Sequence, residues 1–333
     1  MTEIEFRLYQ PGDEGPILET FNRTFSESWD EGYVDRTLEQ WKWEFLGNPA
    51  GHRILLGMAD DGRVACQYAA VPIRVWAGKE LSFFHAVDSM VHPDFRTGLR
   101  KRGLFLEVAD LFFEEFGGKV DHLGFGYPVR PAWRIGERFL GYRLIRNLDY
   151  LLRPVEAELS VPAGLEVREV QRFSSDVDAF EQGLRSSFAC MTIKDKPYLD
   201  WRYADCPTHD YHILEAWDGD QYRGFVVLRT EGGLVPDSAM IGDSLIAPGD
   251  VDALRALVAA SLTLARSADC SQLMTVQNPE LAQCDALCSL GFVPQPSGNW
   301  LERKLGSRDW TSGLDQEWLA NNWQYTLGDS DLF

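Results

Sequence analysis

Apolar positions change period repeatedly along this chain, and each change marks an element. Residues 6–9 read as a short strand, after which Pro11-Gly12-Asp13 forms a turn and Ile17, Leu18, Phe21 and Phe25 recur at the spacing of one helix face. Residues 38–46 predict a second, aromatic-rich helix, which Asn48-Pro49-Ala50-Gly51 stops. Strands at 53–59 and 63–75 flank Asp60-Asp61-Gly62, a strong hairpin signal, and a third strand runs over 79–91. Leu104, Val108, Leu111, Phe112 and Phe116 line one face of a helix over 103–116. A buried strand at 122–127, a helix at 131–139, the turn Gly141-Tyr142 and a strand at 143–152 close the first half.

The same order then returns. A strand from Leu165, helices at 177–188 and around Trp201, strands at 211–216 and 222–229 and the strand holding Asp243 come first. A helix at 251–267, a strand at 272–276, a helix at 281–290, the turn Gly291-Phe292 and a strand at 300–305 follow. Trp43 stands six positions before Pro49, as Trp201 does before Pro207, and Asp88-Ser89-Met90-Val91-His92-Pro93 is matched by Asp243-Ser244-Leu245-Ile246-Ala247-Pro248. Such repetition means one fold used twice. The reading is a mixed α/β protein of two tandem domains, 1–153 and 154–306, with a proline-bounded linker at 153–162 and a tail at 307–333. Trp310, Trp318 and Trp323 should pack the first part of the tail on the domains, while Gly328-Asp329-Ser330-Asp331 is expected at the surface.

Composition narrows the function. A hydrophobic content of 45% supplies two cores, and a formal net charge of −19 opposes nucleic acid and anionic lipid, whose binding rests on clustered Lys and Arg. No stretch approaches the roughly 20 apolar residues of a membrane helix, and no basic-then-apolar leader opens the chain. The six cysteines are dispersed without zinc or disulfide spacing, and Cys284 with Cys288 reads as core. The expectation is a reduced, cytoplasmic protein with a small-molecule partner, no metal, no membrane and no nucleic acid.

Against that acidic background the two copies differ most after Pro93 and Pro248. Arg96, Arg100, Lys101 and Arg102 fall within seven positions and lead through Gly103 into a helix. The second copy runs through Gly249-Asp250-Val251-Asp252 directly into its helix, with two acids and no arginine. Free N–H groups at a helix N-terminus, the positive end of its dipole and a glycine that lets backbone approach closely suit a pyrophosphate. A solvated basic loop is the other reading.

The order of elements, together with Val91-His92-Pro93 and Arg100-Lys101-Arg102-Gly103-Leu104-Phe105, resembles the GNAT acyltransferases, over most of 3–152 and more weakly over 165–305. The family's turn is Arg or Gln, two residues, Gly, one residue, then Gly or Ala; Phe105 replaces the last small residue, and a register at Arg96-Thr97-Gly98 is an alternative. The resemblance implies two tandem, mostly antiparallel sheets flanked by helices, the first splaying between the strands at 79–91 and 122–127. It implies acyl-CoA-dependent transfer, most simply of acetyl from acetyl-CoA to the amine of a small molecule or amino sugar. Met90, Val91 and His92 would contact the pantetheine arm, and Arg100, Lys101, Arg102, Gly103, Leu104 and Phe105 the pyrophosphate. One donor site is expected, in the first copy, with the second copy shaping the acceptor cleft and completing the first sheet. In the family the region of Ser28-Trp29-Asp30-Glu31-Gly32-Tyr33 overhangs the acceptor.

Direct transfer to an amine calls for a base and an acid. The family's usual tyrosine falls at Glu137 in the first copy and Leu287 in the second, so neither copy supplies a phenol there. Asp88 is the candidate base, although its repetition as Asp243 also fits a structural role; Tyr127 is the candidate acid. His85, expected on the opposite strand face from Asp88, and His92 are weaker candidates for the base. A silent CoA-binding module and an aminoacyl or peptidoglycan-type transferase are the competing readings.

Overall fold

The computed structural model describes residues 3–27, 33–96 and 103–333. The first half contains β1 (Ile4–Leu8), α1 (Glu14–Ser26), α2 (Leu38–Phe45), β2 (Arg53–Ala59), β3 (Val64–Trp76) and β4 (Glu80–Val91). It continues with α3 (Leu104–Phe116), β5 (Leu123–Gly126), α4 (Arg130–Phe139), β6 (Arg143–Asn147) and β7 (Asp149–Pro154). Local chemistry explains the boundaries. Thr37 and Gln40 form a reciprocal capping box that starts α2, and Gly62 takes the hairpin turn at φ +86°.

The second half holds β8 (Leu165–Val170), α5 (Asp176–Leu184), β9 (Cys190–Thr192), α6 (Lys196–Leu199), β10 (His212–Asp218), β11 (Gln221–Arg229) and β12 (Ser238–Ile246). Then come α7 (Val251–Ser267), β13 (Gln272–Thr275), α8 (Ala282–Ser289), β14 (Val293–Pro296), β15 (Lys304–Asp309), α9 (Gln316–Asn322) and β16 (Trp323–Gln324). β9 was not legible in the sequence: three residues carry no period. The helix expected over 177–188 ends as α5 at Leu184, followed by a 3₁₀ turn at Arg185–Ser187.

The two sheets exchange strands. One runs β1-β2-β3-β4-β5-β15-β6 and the other β14-β7-β13-β12-β11-β10-β8. β15, from the end of the second copy, lies between β5 and β6, while β7, from the end of the first, lies between β13 and β14. The single strand expected over 143–152 is therefore two strands in two sheets. Between them Leu148 is buried, its N–H donating to Arg303 O at 2.9 Å and its carbonyl accepting from Ser297 N at 3.0 Å. The expected strand at 300–305 starts later, at Lys304, and belongs to the first copy's sheet, so the second copy completes that sheet. Arg153 and Pro154, expected in the linker, lie in β7.

The copies meet as the halves of an isologous dimer do, with each surface using the same residue. Trp43 Nε1 donates to Trp201 O at 2.6 Å, Trp201 Nε1 donates to Trp43 O at 2.7 Å, and the rings stack at 5.8 Å. One apolar cluster spans the junction, joining Ile17, Phe83 and Val87 to Phe225, Leu245 and Trp323. Two outer cores lie under α3 and α4 and under α7 and α8.

The end of the tail is inside, contrary to expectation. Gly328, Asp329 and Ser330 are buried, and a Cβ at Gly328 would stand 2.2 Å from the Tyr203 hydroxyl. Asp329 is satisfied there by the Thr192 hydroxyl at 2.6 Å and the Thr326 N–H at 2.8 Å. Asp331 alone of that stretch is exposed.

Candidate active site

β4 and β5 run parallel and pair at Phe83 with Leu123, Phe84 with Gly124 and His85 with Phe125. Beyond His85 the pairing stops, although β4 continues to Val91, so the sheet splays there as expected. β4 still pairs with β3 up to Val91, leaving its other edge available to an added strand-like chain. Met90 and Val91 lie along this segment, with the Met90 side chain buried and the Val91 carbonyl accepting from Arg96 Nε at 3.1 Å. His92 turns the chain: its N–H donates to Ala65 O at 2.9 Å, and its Nδ1 accepts from the Asp94 N–H at 3.2 Å. Burial pushes the His92 imidazole below its ordinary range.

Gly103 begins α3 with extended backbone and no side-chain cap, and a Cβ there would meet no described atom within 4 Å. Leu104 is buried, and the Phe105 ring packs on Tyr68 at 6.2 Å, which accounts for an aromatic where the family has a small residue. Arg100, Lys101 and Arg102 lie outside the described residues. The second copy supplies the contrast. β12 also outruns its parallel partner, pairing with β13 only from Ser238 to Ile241. There, however, the Asp250 carboxylate caps α7, accepting from the Ala253 N–H at 3.1 Å, and pairs with Arg223 at 2.8 Å. A carboxylate already occupies the anion position of that helix.

At the inner end of the first splay lies a cavity of about 200 Å³ between the copies, lined by Arg36, Trp43, His85, Trp201, Arg202 and Asp331 among others. Asp88 borders it through Arg36, which bonds both Asp88 and Glu44. A bulge sets this geometry: Asp88 has φ +50°, and the β3–β4 register shifts between Gln67 and Ala69. The extra residue cancels the strand alternation. His85 and Asp88 thus serve the same side, not opposite faces, with Gln67 Nε2 donating to the Asp88 carbonyl at 3.0 Å. Burial raises the Asp88 carboxyl above its ordinary range, against the pull of Arg36 and with a push from Asp331.

Tyr127 follows β5 directly and is buried; its hydroxyl has no hydrogen-bond partner among the described residues. Burial holds the phenol well above its ordinary range, so it stays protonated. His85 stands between Phe125, stacked at 5.2 Å, and Tyr127 at 5.8 Å, with Asp331 3.6 Å from Nε2. Burial lowers its pKa. Glu137 points outward on α4 and Leu287 is buried apolar core.

The second copy's aspartate is closed. Asp243 accepts from Lys194 Nζ, from the Tyr203 hydroxyl at 2.7 Å and from the Thr326 hydroxyl at 3.0 Å, all buried. Sequence reasoning missed Arg36, Glu44 and Asp331. Nothing in their local pattern signals them, because the bulge and the returning tail bring them together. Residues 28–32 lie outside the described residues; Tyr33 donates its hydroxyl to Asn22 Oδ1 at 3.0 Å.

A mixed sheet splayed between its parallel central strands, with an uncapped helix at the mouth, is the GNAT fold. The chain carries that fold twice, as a tandem. It is similar to a probable N-acyltransferase of Enterococcus faecalis V583 at 12% identity and a TM-score of 0.65, over 96% of this chain and 74% of that one. It is similar to a tandem GNAT protein from the clavulanic acid biosynthesis pathway at 15% identity and a TM-score of 0.53, over 92% of this chain and 98% of that one. The N-myristoyltransferase of Saccharomyces cerevisiae, solved with bound myristoyl-CoA, matches at 12% identity and a TM-score of 0.58, over 93% of this chain and 79% of that one. No protein-family model and no curated protein sequence matches the chain.

Proposed function

We propose that the protein is an acyl-CoA-dependent N-acyltransferase that moves acetyl from acetyl-CoA to the amine of a small molecule or amino sugar. The observation that carries this is the continuity of the first splay. It runs from the uncapped N-terminus of α3 at Gly103, along the free edge of β4 at Met90 and Val91, to the cavity lined by Arg36 and His85, the neighbours of Asp88 and Tyr127. An extended arm laid on that edge would place its thioester at the cavity while its pyrophosphate met Gly103, Leu104 and Phe105 and the basic residues Arg100, Lys101 and Arg102. His92 would fix the turn between the two.

The chemistry follows from the two buried groups. The amine nitrogen attacks the thioester carbonyl carbon, and its proton passes to the Asp88 carboxylate, which burial makes a stronger base than an exposed one. As the carbon–sulfur bond breaks, the Tyr127 phenol gives its proton to the departing thiolate. Arg36, shared with Glu44, holds Asp88 in place. The acids around the cavity suit a cationic acceptor. Six free cysteines and the absence of any described helix long and apolar enough to cross a membrane support a cytoplasmic placement.

Calorimetric titration with acetyl-CoA tests the donor site. One site per chain is expected, abolished by Arg100→Ala, Lys101→Ala and Arg102→Ala together. Two equal sites would overturn the assignment to the first copy. A thiol-release assay across a panel of amines then separates an enzyme from a silent CoA-binding module.

A further inference from the structure

The segment 129–146 carries five arginines and one acid in a chain whose net charge is −19. Arg146 pairs with Glu280 at 3.3 Å, whereas Arg130, Arg134, Arg138 and Arg143 are exposed and form no ion pair among the described residues. Their orientation is fixed by packing. Trp133 and Gly136 bury the inner face of α4, with the Trp133 ring so close to Gly306 of β15 that a Cβ there would stand 2.4 Å away. Arg130, Arg134 and Arg138 therefore rise at four-residue steps along the outer face, a row about 12 Å long. Ile135, Phe139 and Leu144 are 39%, 49% and 40% exposed in the same segment.

The row begins where the donor cleft ends. Arg130 is three residues past Tyr127, and α3 and α4 cover the same face of the first sheet, both packed on its outer core. We propose that this face docks an acidic carrier protein, one that presents the acyl group as a thioester on a phosphopantetheine arm, and that such a carrier delivers the donor. This rests on the acyltransferase reading above. A phosphate needs one or two cations at a point. A 12 Å row of unpaired arginines interleaved with apolar side chains instead matches a protein surface of opposite charge with an apolar centre. The reaction stays balanced as before, with the carrier's thiol in place of that of CoA as the leaving group.

The test compares transfer from acetyl-CoA and from an acetylated acyl carrier protein to one amine, in the wild type and in Arg134→Glu with Arg138→Glu. The expected result is at least a tenfold fall in kcat/KM for the carrier, with acetyl-CoA within twofold and an unchanged melting temperature. An equal fall with acetyl-CoA would assign the arginines to the nucleotide and overturn the proposal, as would carrier transfer no faster than transfer from acetyl-pantetheine. Calorimetric titration with the holo carrier reads the surface without turnover. Binding that is absent or unaffected by the double variant sinks the docking surface, while binding without transfer from any donor sinks the acyltransferase reading instead.

Discussion

Asp88 and Asp243 occupy the same place in the two copies and lead different lives. Asp243 is saturated by Lys194, Tyr203 and Thr326, whereas Asp88 has a cation on one side and the cavity beyond it. Asp88→Asn should lower turnover by about two orders of magnitude or more while leaving acetyl-CoA affinity intact, read by steady-state rates beside titration. The pH profile gives a sharper signature. Burial raises the Asp88 pKa and Arg36 pulls it down, so the acid limb of kcat/KM should lie above the ordinary carboxylate range. Arg36→Met should move that limb to still higher pH, since removing the cation favours the neutral carboxyl. An acid limb that does not move would remove Asp88 from the proton path. Asp88 was legible in the sequence as a candidate through the family resemblance, while its repetition as Asp243 pointed to a structural role. Its bulge was not, since φ +50° at a non-glycine follows from register with β3 and from nothing local.

At the scale of elements, the proposed phosphate site rests on a contrast between two helix N-termini. α7 carries its own carboxylate cap in Asp250, and α3 carries none at Gly103. Gly103→Asp should therefore do two opposed things: raise thermal stability slightly, by a few tenths of a kcal/mol, and weaken acetyl-CoA binding at least tenfold. Loss of stability with unchanged affinity would contradict the anion role of this turn. The asymmetry was readable from Gly249-Asp250-Val251-Asp252, because capping is a local signal. The hairpin turn and the α3 face were equally local, and the splay followed from the family resemblance. The arginine row on α4 was also available at i, i+4 and i+8, and its meaning emerged only once Trp133 and Gly136 fixed which face points outward.

For the whole molecule, the exchange of β7 and β15 makes each copy depend on the other. A fragment of residues 1–153 would leave β5 and β6 without the strand between them, exposing both edges. It should show no cooperative melting, while the full chain unfolds in one transition by calorimetry; an independently melting fragment would show the exchange to be dispensable. Trp43→Ala should cost about 3 kcal/mol in the full chain, because it removes the ring stacked on Trp201 and the bond from its Nε1 to the Trp201 carbonyl. The strand exchange was invisible in the sequence for a plain reason. Alternation predicts strands over 143–152 and 300–305, yet it cannot say which sheet receives them. The buried tail hid for the same reason, since Asp329 and Ser330 look exposed until partners at Thr192 and Leu327 are supplied.

The position of β15 also sets a clock. A ribosome that has delivered the first 150 residues has made β1 to β6 but not the strand that sits between β5 and β6, and that strand emerges only when residue 309 has been synthesised. At roughly 5–20 residues per second the half-built sheet waits on the order of ten seconds or more with a bare central edge. The splayed cleft of the first sheet is thus among the last parts of the molecule to be finished, so an interrupted or truncated message yields no partial enzyme.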